Sequence, residues 1–325
     1  MSGIKITGEN RLVLVTGRAH PALANEIARE LGTELTHTDA RTFASSEIYA
    51  RYDDSVRGSD AFVIQSHTRP INEWLMEQLI MVDALKRASA KRITVVAPYF
   101  PYARQDKKGR GREPISARLV ADLFKAAGAH RIMSVDLHAP QIQGFFDGPV
   151  DHLFAMPVLL KHFQEKLDPK TLTVVSPDMG RVKVADIWSE KLGAPLAIIH
   201  KRRDPRVMNE VSVHEIVGQV EGRVCLLVDD LIDTGRTIVK AAEALKKAGA
   251  LGVVVAATHA VFSDPAPEIL SNEFIDSVVV TDTLPLTDHQ RFESLTVLPI
   301  APLIARAIHE VFDNGSVTSM FDGAA

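Results

Sequence analysis

Apolar runs and amphipathic stretches alternate along this chain. RLVLVTG, DAFVIQS, KRITVVAPYF, RIMSVDLH, TLTVVSPD, PLAIIHKR, RVCLLVDD, GVVVAATHAVF and SVVVTDT are short, and several are apolar at nearly every position. A strand with one wet face alternates apolar and polar residues, whereas a strand covered on both faces does not. These runs therefore predict buried, mainly parallel sheets. Between them INEWLMEQLIMVDALKRAS sets Ile71, Trp74, Leu75, Leu79, Val82 and Leu85 along one helical stripe. ISARLVADLFKAAG and TIVKAAEALKKAGA each end in a glycine suited to a helix C-terminus. Strands separated by helices in this way make the chain an α/β protein.

The pattern also repeats. LFKAAGAHRIMSVDLHA (Leu123 to Ala139) and ALKKAGALGVVVAATHA (Ala244 to Ala260) align without a gap, so Lys125 meets Lys246, Gly128 meets Gly249 and His138 meets His259. Two ordinary α/β units could share a Lys-Ala-Gly helix end. Duplication also accounts for the helix and basic-led strand that precede each copy. The expected organisation is an N-terminal copy over 1–152 and a C-terminal copy over 153–325, joined near Gly148 to Pro157, where DGPVDHLFAMP breaks the periodicity. The last helix is a candidate to pack back on the first copy. The corresponding strand-to-helix loops differ, YFPYARQDKKGRGREP in one and DDLIDTGR in the other. Ligands of open α/β sheets collect beyond the carboxyl ends of the strands, so two loops suggest two ligands.

Composition narrows the field. With 325 residues, 46% of them hydrophobic, the chain has material for two buried cores. A formal net charge of -4 supplies no basic footprint for nucleic acid or an anionic membrane. The single cysteine, Cys225, rules out a disulfide framework and a thiolate metal site, and inside an apolar run it reads as a small buried hydrophobe. No stretch approaches the ~18 uninterrupted apolar residues of a membrane span, and MSGIKITGENR lacks a signal-peptide core, so the expected location is cytoplasmic.

The densest chemistry is DDLIDTGRT, Asp229 to Thr237. A turn ending Thr-Gly-Arg-Thr and running into a helix offers backbone N–H groups and hydroxyls to an anion, which suits a phosphate monoester. Asp229 and Asp230 repel a phosphate but accept hydrogen bonds from vicinal hydroxyls, directly or through a divalent metal. A ligand carrying phosphate and diol together is a sugar phosphate. The alternative, an acidic turn with helix caps, explains one or two of these residues but not the string.

VDDLIDTGRT resembles the phosphoribosyl-pyrophosphate signature of the phosphoribosyltransferase superfamily. PYARQDKKGRGREPISA, VDLHAPQIQGFFDGPVDHL, SPDMGRVKVAD, IHKRRDPR and NGSVTSMF, in this order, resemble the bacterial, phosphate-activated class I of ribose-phosphate pyrophosphokinases. The resemblance spans nearly the whole chain. It implies two tandem phosphoribosyltransferase-like domains and transfer of the pyrophosphoryl group of ATP to O1 of ribose 5-phosphate for nucleotide biosynthesis. It also implies site residues. Asp229, Asp230, Asp233, Thr234, Gly235, Arg236 and Thr237, with Arg203, would bind ribose 5-phosphate; Lys201 and Arg203 would be the catalytic pair of a loop that closes over the transferring phosphates. His138 and Asp178 would hold Mg2+, which prefers oxygen ligands and so would rest on waters and phosphates as well.

No glycine here precedes a lysine, so Walker A is absent, and GxGxxG is missing too. The resemblance instead gives ATP to Arg104 and Gln105, and to Phe43, Ser45, Ser46 and Glu47 supplied by a neighbouring subunit of a homohexamer. Family members usually carry Asp or Asn then Gly where Ser45 and Ser46 stand, and commonly a small residue at Arg236. Lys107, Lys108, Arg110 and Arg112, near Ser316 to Ser319, would form a regulatory site for phosphate as activator and ADP as inhibitor. Two other readings share parts of this pattern: a phosphoribosyltransferase, which needs neither the duplication nor the RQD and HKRR loops, and a non-catalytic regulatory subunit, which would not need Lys201, Arg203, His138 and Asp178 together.

Overall fold

The structure, a computed structural model, describes residues 11–202 and 213–321. The chain forms two compact units. One runs to Phe154 and takes back Thr283–Pro285 and the residues from Pro299 onward; the other holds Ala155–Asp282 and Leu286–Leu298.

The first unit contains β1 (Leu12–Thr16), α1 (Pro21–Glu30), β2 (Thr38–Thr42), β3 (Ile48–Tyr52), β4 (Asp60–Ile64), α2 (Ile71–Arg87), β5 (Arg92–Val96), α3 (Ser116–Ala127), β6 (Arg131–Val135) and β7 (Val150–Leu153). Its main sheet is parallel throughout in the order β1-β4-β5-β6-β7, while β2 and β3 pair with each other as an antiparallel hairpin. The apolar runs are buried as their composition demands: β4 is buried at every position, and Val63, Ile93, Val95, Val120 and Phe124 share one core. Within DGPVDHLFAMP, Val150–Leu153 forms the edge strand β7, and the division between the two units falls in the same segment, after Phe154.

Helix α2 turns a different face inward than its apolar stripe indicates. Leu75, Val82 and Leu85 are buried with Met81, but Ile71, Trp74 and Leu79 are only half-buried, and Glu77 and Gln78 are fully buried. Partners explain the exception. Gln78 donates to the carbonyls of Val63 (2.9 Å) and Val96 (3.3 Å), and Glu77 accepts from the Arg18 backbone (2.7 Å), the Arg18 guanidinium and Gln65.

The second unit contains α4 (Met156–Lys166), β8 (Leu172–Ser176), α5 (Val182–Leu192), β9 (Leu196–Arg202), β10 (Val213–Val217), β11 (Val224–Ile232), α6 (Arg236–Lys247), β12 (Gly252–Ala260), α7 (Ala266–Leu270), β13 (Ser277–Thr281) and β14 (Leu295–Leu298). Its sheet order is β10-β9-β8-β11-β12-β13-β14, parallel except for β9 with β10. The final helix, α8 (Ala301–Phe312), belongs to the first unit, where it packs against α1.

The internal repeat is real at the level of wiring. Segments β5-α3-β6 and β11-α6-β12 each join parallel neighbours through a helix, and both helices close alike: Ala129 N–H donates to Phe124 O at 3.0 Å, and Ala250 N–H to Leu245 O at 3.0 Å. The equivalence ends at the histidines. β12 continues through His259 to Ala260, whereas β6 stops at Val135 and Asp136, at φ +39°, turns the chain, so His138 lies beyond its strand. The sheets also differ in direction. In the second, β9 lies on one side of β8 and β11 on the other; in the first, each new strand of the main sheet is added on the same side.

Because Ile304, Ala305 and Ile308 of α8 are buried in the first unit, Ile308→Ala should lower unfolding stability by about 2–5 kcal/mol, measured by denaturant titration.

Candidate active site

A strand order that reverses opens a crevice at the carboxyl ends of the two strands that flank the reversal. In the second unit these are β8 and β11. Beyond β8, which ends at Ser176, the chain passes through Pro177 and Asp178, and β11 carries Asp229 and Asp230 near its end. Asp178 Oδ1 accepts the N–H groups of Gly180 (2.7 Å) and Arg181 (3.1 Å), capping the turn that leads into α5. That turn aims Arg181 back at β11. Its Nε lies 3.4 Å from Asp229 Oδ1, and its Nη2 pairs with Asp230 Oδ1.

Both acids are withdrawn from water, the Asp229 side chain to 20% exposure and Asp230 to 7%. Burial, then the charge of Asp230 and the hydrogen bond with it, push the Asp229 carboxyl well above the usual carboxylate range, with Arg181 opposing. Past Ile232 the chain reaches Asp233 and Thr234, both half-buried, and then Gly235. The turn is tied down by Phe262 N–H on Ile232 O and Ser263 N–H on Asp233 O, both 3.1 Å. Gly235, at φ +74°, is the N-cap of α6, and a Cβ there would meet Leu270 at 3.2 Å. The N-cap glycine brings no side chain to this helix end, and the N–H groups of its first turn lack an intrahelical partner, beside exposed Arg236 and Thr237. Carboxylates on one side of a three-residue turn and a helix N-terminus on the other can take hydroxyls and a phosphate from one ligand.

In the first unit, Phe43 to Glu47 form the tip of the β2–β3 hairpin. Phe43 N–H donates to Glu47 O (2.8 Å), Ser46 N–H to Phe43 O (2.9 Å), and Ser45 Oγ to Glu47 Oε2 (2.8 Å). Ser46 keeps the left-handed conformation a glycine would favour, φ +71°, so the turn survives the substitution. Phe43 is 46% exposed, with the Arg41 guanidinium over its ring and that of Tyr49. The hairpin is anchored through Arg18, whose Nη2 donates to Thr42 (2.9 Å) while its Nε holds buried Glu77 (2.5 Å).

The long loop after β5 is ordered by its own groups. Gln105 accepts Ser116 Oγ (2.6 Å) and its carbonyl accepts Ala117 N–H; Arg104 beside it is exposed. Lys107, Lys108, Arg110 and Arg112 are exposed too, and the loop's carboxylates are engaged elsewhere: Glu113 accepts the N–H groups of Gly109 (2.8 Å) and Arg110 (2.9 Å), and Asp106 accepts the Gln141 amide.

His138 is half-buried beyond β6, in a turn held by Leu137 N–H on His152 Nε2 at 2.9 Å. His138 belongs to the first unit and Asp178 to the second. Among the described residues no three His, Cys, Asp or Glu side chains come together in a metal-holding group. Exposed Asp178 fits magnesium of another kind, a hard ion bound through one protein carboxylate while phosphates and waters supply the other ligands. Lys201 lies on β9 in register with His214 of β10, and Arg203 falls outside the described residues. Arg181 is the site residue that sequence reasoning missed. SPDMGR carries it openly, yet only the return of the turn onto β11 shows which carboxylates it serves.

A family model described as the N-terminal domain of ribose phosphate pyrophosphokinase matches residues 12–128, and a phosphoribosyl synthetase-associated domain matches 205–322. Ribose-phosphate pyrophosphokinase of Streptomyces coelicolor is 62% identical over 322 residues, 99% of each chain. The Mycobacterium tuberculosis protein of the same name is 58% identical over 315 residues, 97% of each chain. The crystal structure of phosphoribosylpyrophosphate synthetase from Mycobacterium smegmatis is 57% identical, with a TM-score of 0.89 over 94% of this chain and 100% of that one.

Two stability effects follow from the geometry. Ser46→Gly should raise unfolding stability by about 1 kcal/mol, read by denaturant titration, since it removes the left-handed strain of a non-glycine residue. Asp229, its folded pKa raised, binds its proton more tightly in the fold than in the unfolded chain. Ionising it costs stability that accumulates as pH rises from about 4 through the folded pKa. Asp229→Asn should therefore melt at a higher temperature than the parent at neutral pH, the difference closing as pH falls toward about 4.

Proposed function

We propose that this chain, which belongs to the ribose-phosphate pyrophosphokinase family and transfers the pyrophosphoryl group of ATP to O1 of D-ribose 5-phosphate, holds the sugar phosphate on Asp229 to Thr237. The products are 5-phospho-α-D-ribose 1-diphosphate and AMP. The observation that carries this assignment is the carboxylate pair near the end of β11, joined by one short turn to the N-terminus of α6. The hydroxyls of the ribose would donate to Asp229 and Asp230, and the 5-phosphate would take the N–H groups of Thr234 through Thr237 with the Thr hydroxyls. Arg236, exposed at the first position of α6, adds a cation to the phosphate end.

ATP is assigned to Arg104 and Gln105 and, from a neighbouring copy, to Phe43, Ser45, Ser46 and Glu47. The exposed aromatic ring at a hairpin tip supports stacking on adenine. His138 and Asp178 would contribute to holding magnesium. Its chemistry is neutralisation of phosphate charge. Transfer to O1 displaces AMP from the β-phosphorus, a step governed by positioning and charge stabilisation, and Lys201 and Arg203 supply mobile positive charge for it. Exposed Lys107, Lys108, Arg110 and Arg112 support an anion-binding regulatory loop, with phosphate activating and ADP inhibiting. A cytoplasmic homohexamer completes the reading; no described helix is long and apolar enough to cross a membrane.

The test is incubation with ATP, ribose 5-phosphate and magnesium, with and without phosphate, quantifying AMP and the diphosphate product. Equimolar products are expected. Lys201→Ala should lower kcat by about 10²–10³-fold with smaller changes in KM, the size of effect seen when one group stabilising transition-state charge is removed. Unchanged turnover in that variant would remove Lys201 from the mechanism.

A further inference from the structure

Arg181 belongs to no part of the site drawn from the sequence, yet it touches three of the acids around the crevice between β8 and β11. Its backbone N–H donates to Asp178, its Nε faces Asp229, and its Nη2 pairs with Asp230. With 16% of its side chain exposed, it is a built-in group and not a surface cation resting on an acidic patch. From this geometry we infer that Arg181 is the positioning residue for the ribose ring, an internal cation that holds Asp229 and Asp230 together and draws them toward the acceptor forms that vicinal hydroxyls need. The inference rests on the assignment of Asp229 to Thr237 to the sugar phosphate.

The physical case starts from the two acids. Neighbouring carboxylates withdrawn from water repel, and without a counter-charge they relax by sharing a proton or by binding a cation. Either outcome changes what the site offers. A protonated carboxyl presents a donor where a hydroxyl needs an acceptor, and a bound divalent ion would make sugar binding depend on metal. A guanidinium fixed against Oδ1 of both acids works against both, although burial and the hydrogen bond with Asp230 still hold the Asp229 carboxyl above its ordinary range. It favours the ionised forms and, as a like charge, opposes a second cation at the same place. An ionised carboxylate has about four acceptor positions, so pairing with Arg181 does not exhaust Asp229. The turn built by Asp178 supplies the rigidity, because Arg181 is held by its backbone as well as by its side chain.

Direct binding of ribose 5-phosphate and 2-deoxyribose 5-phosphate, each with and without magnesium, tests this on the full chain, together with steady-state kinetics. Arg181→Met keeps a long unbranched side chain and removes the charge; Arg181→Lys keeps the charge and loses the fork. The parent should bind ribose 5-phosphate without magnesium and discriminate against the 2-deoxy sugar by at least about tenfold, since a site built for a hydroxyl rejects the analogue lacking it. Arg181→Met should weaken ribose 5-phosphate binding by roughly 10–100-fold, reduce the discrimination to below about threefold and make what binding remains magnesium-dependent. KM for the sugar should rise while kcat at saturation and KM for ATP stay within about threefold, and Arg181→Lys should recover part of the loss.

Affinity and discrimination within about twofold of the parent in Arg181→Met would overturn the inference, as would a fall in kcat at unchanged KM. Should Arg181→Met fail to fold, Arg181→Lys decides alone: sugar affinity and KM identical to the parent overturn the inference, and a selective loss of sugar binding supports it. Asp229→Asn separates this from the assignment beneath it. If that variant abolishes sugar binding while Arg181→Met does not, only the role of Arg181 falls; if neither affects it, the placement of the sugar phosphate falls as well.

Discussion

Two adjacent carboxylates withdrawn from water at the end of a parallel strand are tenable only with positive charge against them. Arg181 provides it, and much of the second unit follows from that contact. The guanidinium reaches β11 from β8 because the two strands are neighbours in the sheet, and they are neighbours at the place where the strand order reverses. Asp178 shapes the turn that delivers the arginine, so one carboxylate orients the cation that stabilises two others. The raised pKa of Asp229 shows that the compensation is incomplete. A site kept partly unfavourable in this way gains when a ligand brings further donors.

The first unit solves a related problem in its core. Glu77, wholly buried on α2, is paired by Arg18 and Gln65, and the same arginine reaches Thr42 at the foot of the hairpin that presents Phe43. Removing one partner of a buried pair leaves the other charge uncompensated, at a cost of about 3–5 kcal/mol. The position of an exposed aromatic tip is thereby tied to a buried ion pair behind it, which links packing in the core to the part of the surface assigned to nucleotide.

The two copies show how one supersecondary unit serves different ends. Their helices close with the same hydrogen bonds, yet the strand-to-helix connection is three residues, Asp233 to Gly235, in one copy and a long cationic loop in the other. The histidines that align in sequence part company because β12 runs on where β6 turns at Asp136. Sequence equivalence survived in the packed helix ends, where volume and capping constrain each residue. It was lost where the chain leaves the sheet.

Much was legible from residues alone. Continuous apolar runs identified nine strands of the buried sheets, and amphipathic stretches identified α2, α3 and α6 among their helices, because burial on both faces and helix termination are local properties of composition. DDLIDTGRT marked a candidate sugar-phosphate turn for the same reason: carboxylates, hydroxyls and a glycine are contiguous in it. Strands β2, β3, β7, β10 and β14 were not legible, being short, polar or at sheet edges where no apolar run is required. Nor was the buried face of α2, since Glu77 and Gln78 are stabilised inside only by Arg18, Gln65 and carbonyls from other strands. The pairing of Arg181 with Asp229 and Asp230 is of that second kind. Composition places an arginine in one loop and two acids in another, but their meeting depends on strand order, a long-range property that only the folded sheet decides.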